Sequence, residues 1–275
     1  MLAIFEYQFL QYAVIAALLA SIVCGVIGTI IIEKKIIMMS GGIAHTAYGG
    51  VGLGYLLGFT PMIGAVIFAV LAAFGVGAVK RHGKVHTDIV IAMLWSLGMA
   101  LGIAFIGMMP GYAPDMTSYL FGNILSVTKA DIILMFVLTC IVVFIVAMLF
   151  NDWKSYLFDE QFAYLNGMKT VFLEYLLLVL VALSVVVLIR VAGIILVLAL
   201  LTAPAACSAL LSKNLKVRMI FAVIFGIVFC IAGLALSYAA NISSGACIVI
   251  ISVAAYAVIY LWYILHSRAN KAEAQ

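Results

Sequence analysis

Apolar residues in this chain fall into unalternated runs of about 20, separated by short clusters of charged, glycine or proline residues. A helix needs roughly that length to cross a hydrocarbon core about 30 Å thick. The two-residue alternation of a membrane β-strand is not seen, so the runs are expected to be helices. Nine are marked out: Phe9 to Ile32, Ile36 to Gly58, Pro61 to Val79, Ile89 to Met109, Asp131 to Phe150, Thr170 to Ile189, Val191 to Leu211, Met219 to Ala239 and Gly245 to Leu265. At Arg190 a single basic residue separates two runs with almost no loop, which leaves eight or nine spans open. The expected architecture is an all-α polytopic membrane protein, with residues 1–275 forming one transmembrane domain.

Composition points the same way, with 68% hydrophobic residues, 9% charged residues and a mean hydropathy of +1.34. A water-soluble domain carries about 25% charged residues. In lipid, backbone polar groups must be satisfied within the segment, which favours helices. The opening MLAIFEYQF has no basic residue ahead of its apolar stretch, unlike a cleaved leader, so the first helix is expected to be retained. The five cysteines, Cys24, Cys140, Cys207, Cys230 and Cys247, are scattered through apolar stretches without metal-finger spacing and are expected to pack as small hydrophobes.

Basic residues in short loops are retained on the cytoplasmic side. With the N-terminus outside, twelve of the 14 fall inside: Lys34, Lys35, Lys80, Arg81, Lys84, Lys154, Lys169, Lys213, Lys216, Arg218, Arg268 and Lys271. Only Lys129 and Arg190 fall outside. The C-terminus is therefore expected in the cytoplasm, and this asymmetry accounts for the net charge of +4 without nucleic-acid binding. The segment PGYAPD and the following MTSYLFGNILSV are apolar for only about twelve residues, a length that suits a re-entrant or interfacial helix. Residues Asn151 to Lys169 form the longest inner loop. No soluble domain is visible, so any energising part is expected from other chains.

Chemistry-bearing residues are few. GAVKRHGKV, Gly77 to Val85, falls short of a phosphate-binding loop, because Ala78 stands where the first glycine belongs and Val85 replaces the magnesium-binding hydroxyl. The chain is not expected to hydrolyse ATP itself. His45 lies well inside an apolar run, IIMMSGGIAHTAYGGVGLGYLLG, and helical spacing puts Gly41 and Gly49 on its face with Gly42 and Gly52 beside it. Ionisable groups at membrane depth mark ion paths; alternatively the glycines serve close helix packing and the imidazole bonds a neighbour. In the inner loop, FDEQFAYLNG places Asp159 and Glu160 at the start of a short helix and Gly167 at its stop, with small Ala163 among bulky residues. That is either a docking surface or an amphipathic connector.

Together these stretches resemble the permease subunits of zinc and manganese ABC transporters. SGGIAHTAYGGVGLGYLLG is similar to the family's second-helix segment, in which Ser-Asp-x-x-x-His precedes a glycine-rich run. TSYLFGNILSV resembles its external segment and FDEQFAYLNG its cytoplasmic coupling segment. VAGIILVLALLTAPAACSALL resembles its late Gly-to-Pro segment, with Gly193, Leu200, Leu201, Pro204 and Ala205 in matching places and Pro204 as a helix kink. The resemblance implies a fold related to the vitamin B12 and siderophore importers. It also implies a homodimer in a prokaryotic plasma membrane, working with a cytoplasmic ATPase that binds ATP and an extracytoplasmic metal-binding protein, with no permanently bound cofactor. Transported zinc or manganese would pass His45, and Asp159, Glu160, Ala163 and Gly167 would couple to the ATPase. Gly41 stands where the family has its Asp, so remaining coordination would come from water, carbonyls or the hydroxyls of Ser40 and Thr46. A stand-alone secondary transporter or channel, the alternative reading, would instead need charged pairs in mid-membrane, where the chain offers only His45 and the near-boundary Glu174; an intramembrane enzyme would need a nucleophile with a base or a motif such as HExxH, and none is present.

Overall fold

The computed structural model describes residues 8–82, 86–110, 119–120, 122, 124–240 and 242–272. The long apolar runs form helices throughout: α1 Gln8–Lys34, α2 Ile37–Leu57, α3 Pro61–His82, α4 Thr87–Gly107, α5 Lys129–Met148, α8 Thr170–Leu211, α9 Leu215–Ala240 and α10 Ser244–Ala272. Two short helices, α6 Phe150–Phe158 and α7 Glu160–Leu165, occupy the inner loop. Seven of the described helices are long and apolar enough to cross a membrane: α1, α3, α4, α5, α8, α9 and α10. Helix α2 is not among them, because its glycines, His45 and hydroxyl residues lower its hydropathy, yet it is buried along most of its length. It packs chiefly against α3 and α4, whereas α1 packs against α5, α8 and α9, and α8 bridges the two groups.

Helix α8 accounts for the near absence of a loop at Arg190. A straight helix of its 42 residues would run about 63 Å, twice the hydrocarbon core. It is interrupted at Gly193, where φ 75° and ψ 160° lie in a region open essentially to glycine alone. The two halves return to the same end of the bundle. Thr170 and Glu174 of the first half line a cavity with Glu160, and Lys213, just past the second half, lines a groove with Lys154 and Phe158. At the opposite end Arg190 pairs with Asp131 of α5 at 2.9 Å, and Gly122 abuts the carbonyl of Ala192. The reversal therefore comes at Gly193, not at Arg190, whose place is inside the first half. The reversal does not fall at Pro204, where the sequence places a kink. Pro204 sits within helical backbone, and a ring that fixes φ near −65° cannot supply the positive φ that the reversal needs.

Of the segment expected to be re-entrant, residues 111–118, 121 and 123 lie outside the described residues. The described part ends in a 3-10 turn, Ile124–Ser126, packed against α1. Four cysteines are buried as small core residues, but Cys140 is exposed on α5.

Candidate ion path and docking face

His45 is buried in α2 and packs against α4 of the same chain. Its imidazole stacks on Trp95 with centroids 3.9 Å apart and an interplanar angle of 14°. Its Nδ1 lies 3.3 Å from the Met99 thioether sulfur. Trp95 and Met99 are four residues apart and so share one face of α4, a spacing that the sequence reading passed over. The hydroxyl of Thr46 donates to the carbonyls of Gly42 at 2.8 Å and Leu94 at 3.2 Å, and Ser40 donates to Ile37 at 2.7 Å. Both hydroxyls thus satisfy themselves on backbone, as buried donors must.

The glycines around His45 serve close helix packing, one of the two readings that the sequence left open. A Cβ on Gly49 would lie 2.9 Å from the carbonyl oxygen of Gly98, and one on Gly52 would lie 2.6 Å from that of Gly102. Gly42 faces Ile91, and a Cβ on Gly41 would meet the Trp95 ring at 3.1 Å. These faces are filled by α4 of the same chain, so they do not serve the approach of a second copy. Small residues let helix backbones touch in membranes, where packing replaces the hydrophobic drive.

At the other end, α7 is a locally determined helix. Asp159 caps it, accepting from the amide of Phe162 at 3.0 Å. It stops in a Schellman arrangement, with Met168 N donating to Ala163 O, Gly167 N donating to Tyr164 O, and Gly167 at φ +81°. Ala163 is buried at 1% exposure, so it anchors the helix instead of forming its outer surface as the sequence suggested. The outer surface is made by Phe158, Phe162, Tyr164 and Leu165, of which Phe158 is 92% and Leu165 82% exposed. Next to it an open groove of about 770 Å³ is lined by Phe158, Phe162, Lys154, Lys213 and Lys216.

One ion pair ties α7 to α1 and two more join long helices at the same end, and sequence reasoning missed them because partners lie far apart in the chain. Lys34 reaches Glu160 at 2.6 Å, Lys80 reaches Glu174 at 2.6 Å, and Arg218 pairs with Glu33. Burial, with the Glu160 and Glu174 carboxylates adding to it, pushes the Tyr156 phenol above its ordinary value, which keeps it protonated. Among the described residues, no group of three or more His, Cys, Asp or Glu side chains is gathered to hold a metal ion.

Long apolar helices make up most of this chain, which defines a multi-pass membrane protein. It belongs to the ABC 3 transport family, which residues 6–263 match. It is 38% identical over 251 residues to an uncharacterised membrane protein of Synechocystis, covering 91% of this chain and 89% of that one. It is 34% identical over 262 residues to the manganese transport system membrane protein MntC of Halalkalibacterium halodurans, covering 94% and 88%. Among solved structures, PsaBC from Streptococcus pneumoniae in complex with Fab is similar, with a TM-score of 0.85 and 31% identity over 94% of this chain and 95% of that one. An inward-facing metal-chelate type ABC transporter shares the fold, with a TM-score of 0.74 at 17% identity over 94% and 87% of the two chains.

Proposed function

We propose that this chain is the membrane-spanning subunit of an ABC importer for a divalent transition metal, driven by a separate ATPase. The observation that carries this reading is the α7 face. An exposed apolar cluster beside a basic groove fits a protein partner with apolar and acidic residues, and an apolar patch of this kind marks an interaction site. Family membership supports a cytoplasmic ATPase as that partner. On this reading the chain makes nine crossings, counting α2 and both halves of α8, with the α7 face in the cytoplasm and the N-terminus outside. Two copies pair in a prokaryotic plasma membrane and receive metal from an extracytoplasmic binding protein. ATP-driven movement of α7 opens the path alternately to each side.

Zinc is proposed before manganese. His45 and Met99 offer imidazole and thioether, both softer than the carboxylate that Gly41 omits, and softer donors disfavour manganese relative to zinc. A sparse site of this kind binds weakly enough to release its ion. The test is reconstitution of the chain with its ATPase and binding protein in liposomes, followed by ATP-dependent uptake of radiolabelled zinc and manganese in competition. Zinc entering ahead of manganese is expected. Uptake of manganese alone overturns the metal assignment, and no ATP-dependent metal uptake overturns the function.

A further inference from the structure

Glu33 and Lys34 are consecutive residues of opposite charge in the last turn of α1, and they reach different neighbours. Lys34 Nζ lies 2.6 Å from Glu160 Oε2, at the first residue of α7, and 3.7 Å above the ring centroid of Tyr156 in α6. Glu33 pairs with Arg218, at the start of α9. These are not freely solvated surface pairs, since the side chains of Lys34 and Arg218 are 12% and 11% exposed. The end of α1 therefore holds the α6–α7 segment on one side and α9 on the other, and α1 itself is packed through the bundle against α5, α8 and α9.

A second observation falls at the same junction. Among the described residues four buried side-chain polar atoms lack a hydrogen-bond partner, and three of them, Trp153 Nε1, Tyr156 Oη and Arg218 Nε, belong to α6 and α9, the elements that Lys34 and Glu33 reach. Buried donors are normally satisfied, and leaving one bare is costly.

We infer that the end of α1 is the junction through which movement of the docking helix passes into the membrane, with Lys34 and Glu33 as its positioning residues. Lys34 draws α1 with Glu160, the Tyr156 ring keeps the ammonium in place, and Glu33 passes the displacement to α9 through Arg218. This rests on the proposed docking role of α7.

The test measures metal moved per ATP hydrolysed by the full complex in proteoliposomes. Lys34→Glu places two carboxylates where the pair stood; hydrolysis is expected to continue while metal moved per ATP falls about five-fold or more. Combining it with Glu160→Lys restores the pair in reverse and is expected to recover most of the ratio, which a loss of folding would not. Where Lys34→Glu fails to assemble, Glu160→Gln is read in its place and is expected to lower the same ratio. An unchanged ratio in the single variants, or no recovery in the reversed pair, overturns the inference while leaving the importer reading intact. A wild-type complex that hydrolyses ATP but moves no metal overturns the importer reading and this inference with it.

Discussion

At the scale of single residues, the proposed selectivity rests on His45 and Met99. Replacing Met99 by Leu keeps the volume and costs under about 1.5 kcal/mol, so assembly should be retained while the thioether is lost. Uptake by Met99→Leu is expected to shift toward manganese in a zinc–manganese competition, and His45→Ala is expected to lose most uptake of both ions. An unchanged metal ratio in Met99→Leu would mean that the sulfur only packs against the imidazole. Gly41→Asp supplies the missing carboxylate and should move preference further toward manganese. Its Cβ meets the Trp95 ring at 3.1 Å, so the indole must give way, and a change in Trp95 fluorescence should accompany the altered selectivity.

At the scale of elements, two segments can be disturbed separately. The reversal in α8 depends on Gly193 at φ 75°, and Gly193→Ala should cost about 1–3 kcal/mol. The expected result is a lower melting midpoint of the purified protein in detergent, and an unaltered midpoint would show that the backbone relaxes without penalty. The α7 face predicts a different phenotype. Leu165→Glu puts a charge on an exposed apolar position and should abolish co-purification of the ATPase while the permease itself stays folded. Ala163→Glu should instead unfold the short helix, because that position is buried at 1% exposure; the two variants separate docking from local folding by circular dichroism and pull-down.

At the scale of the whole molecule, the ion pairs sort by end. Lys34–Glu160, Lys80–Glu174 and Arg218–Glu33 gather at the α7 end, while Arg190–Asp131 lies at the other. Single cysteines at Lys213 and Lys129, in a background without the native five, should label with impermeant reagent from opposite faces, the first only from inside. Labelling of both from one face would overturn the orientation.

The hydrophobic pattern alone determined that this is a helical membrane protein and located most of its helices, because burial in lipid forces long apolar runs to satisfy their own backbone. It also located the α7 helix, since the Asp159 cap and the Gly167 stop act within a few residues of each other. What the pattern could not place was anything that depends on partners distant in the chain. The glycines of α2 read equally as room around His45 or as packing, and only the position of α4 decided for packing. Met99 and Trp95 joined the histidine, Ala163 turned inward, and Lys34 found Glu160 for the same reason: periodicity names the face of a helix, but which neighbour covers that face is set by how the helices cross in the folded molecule.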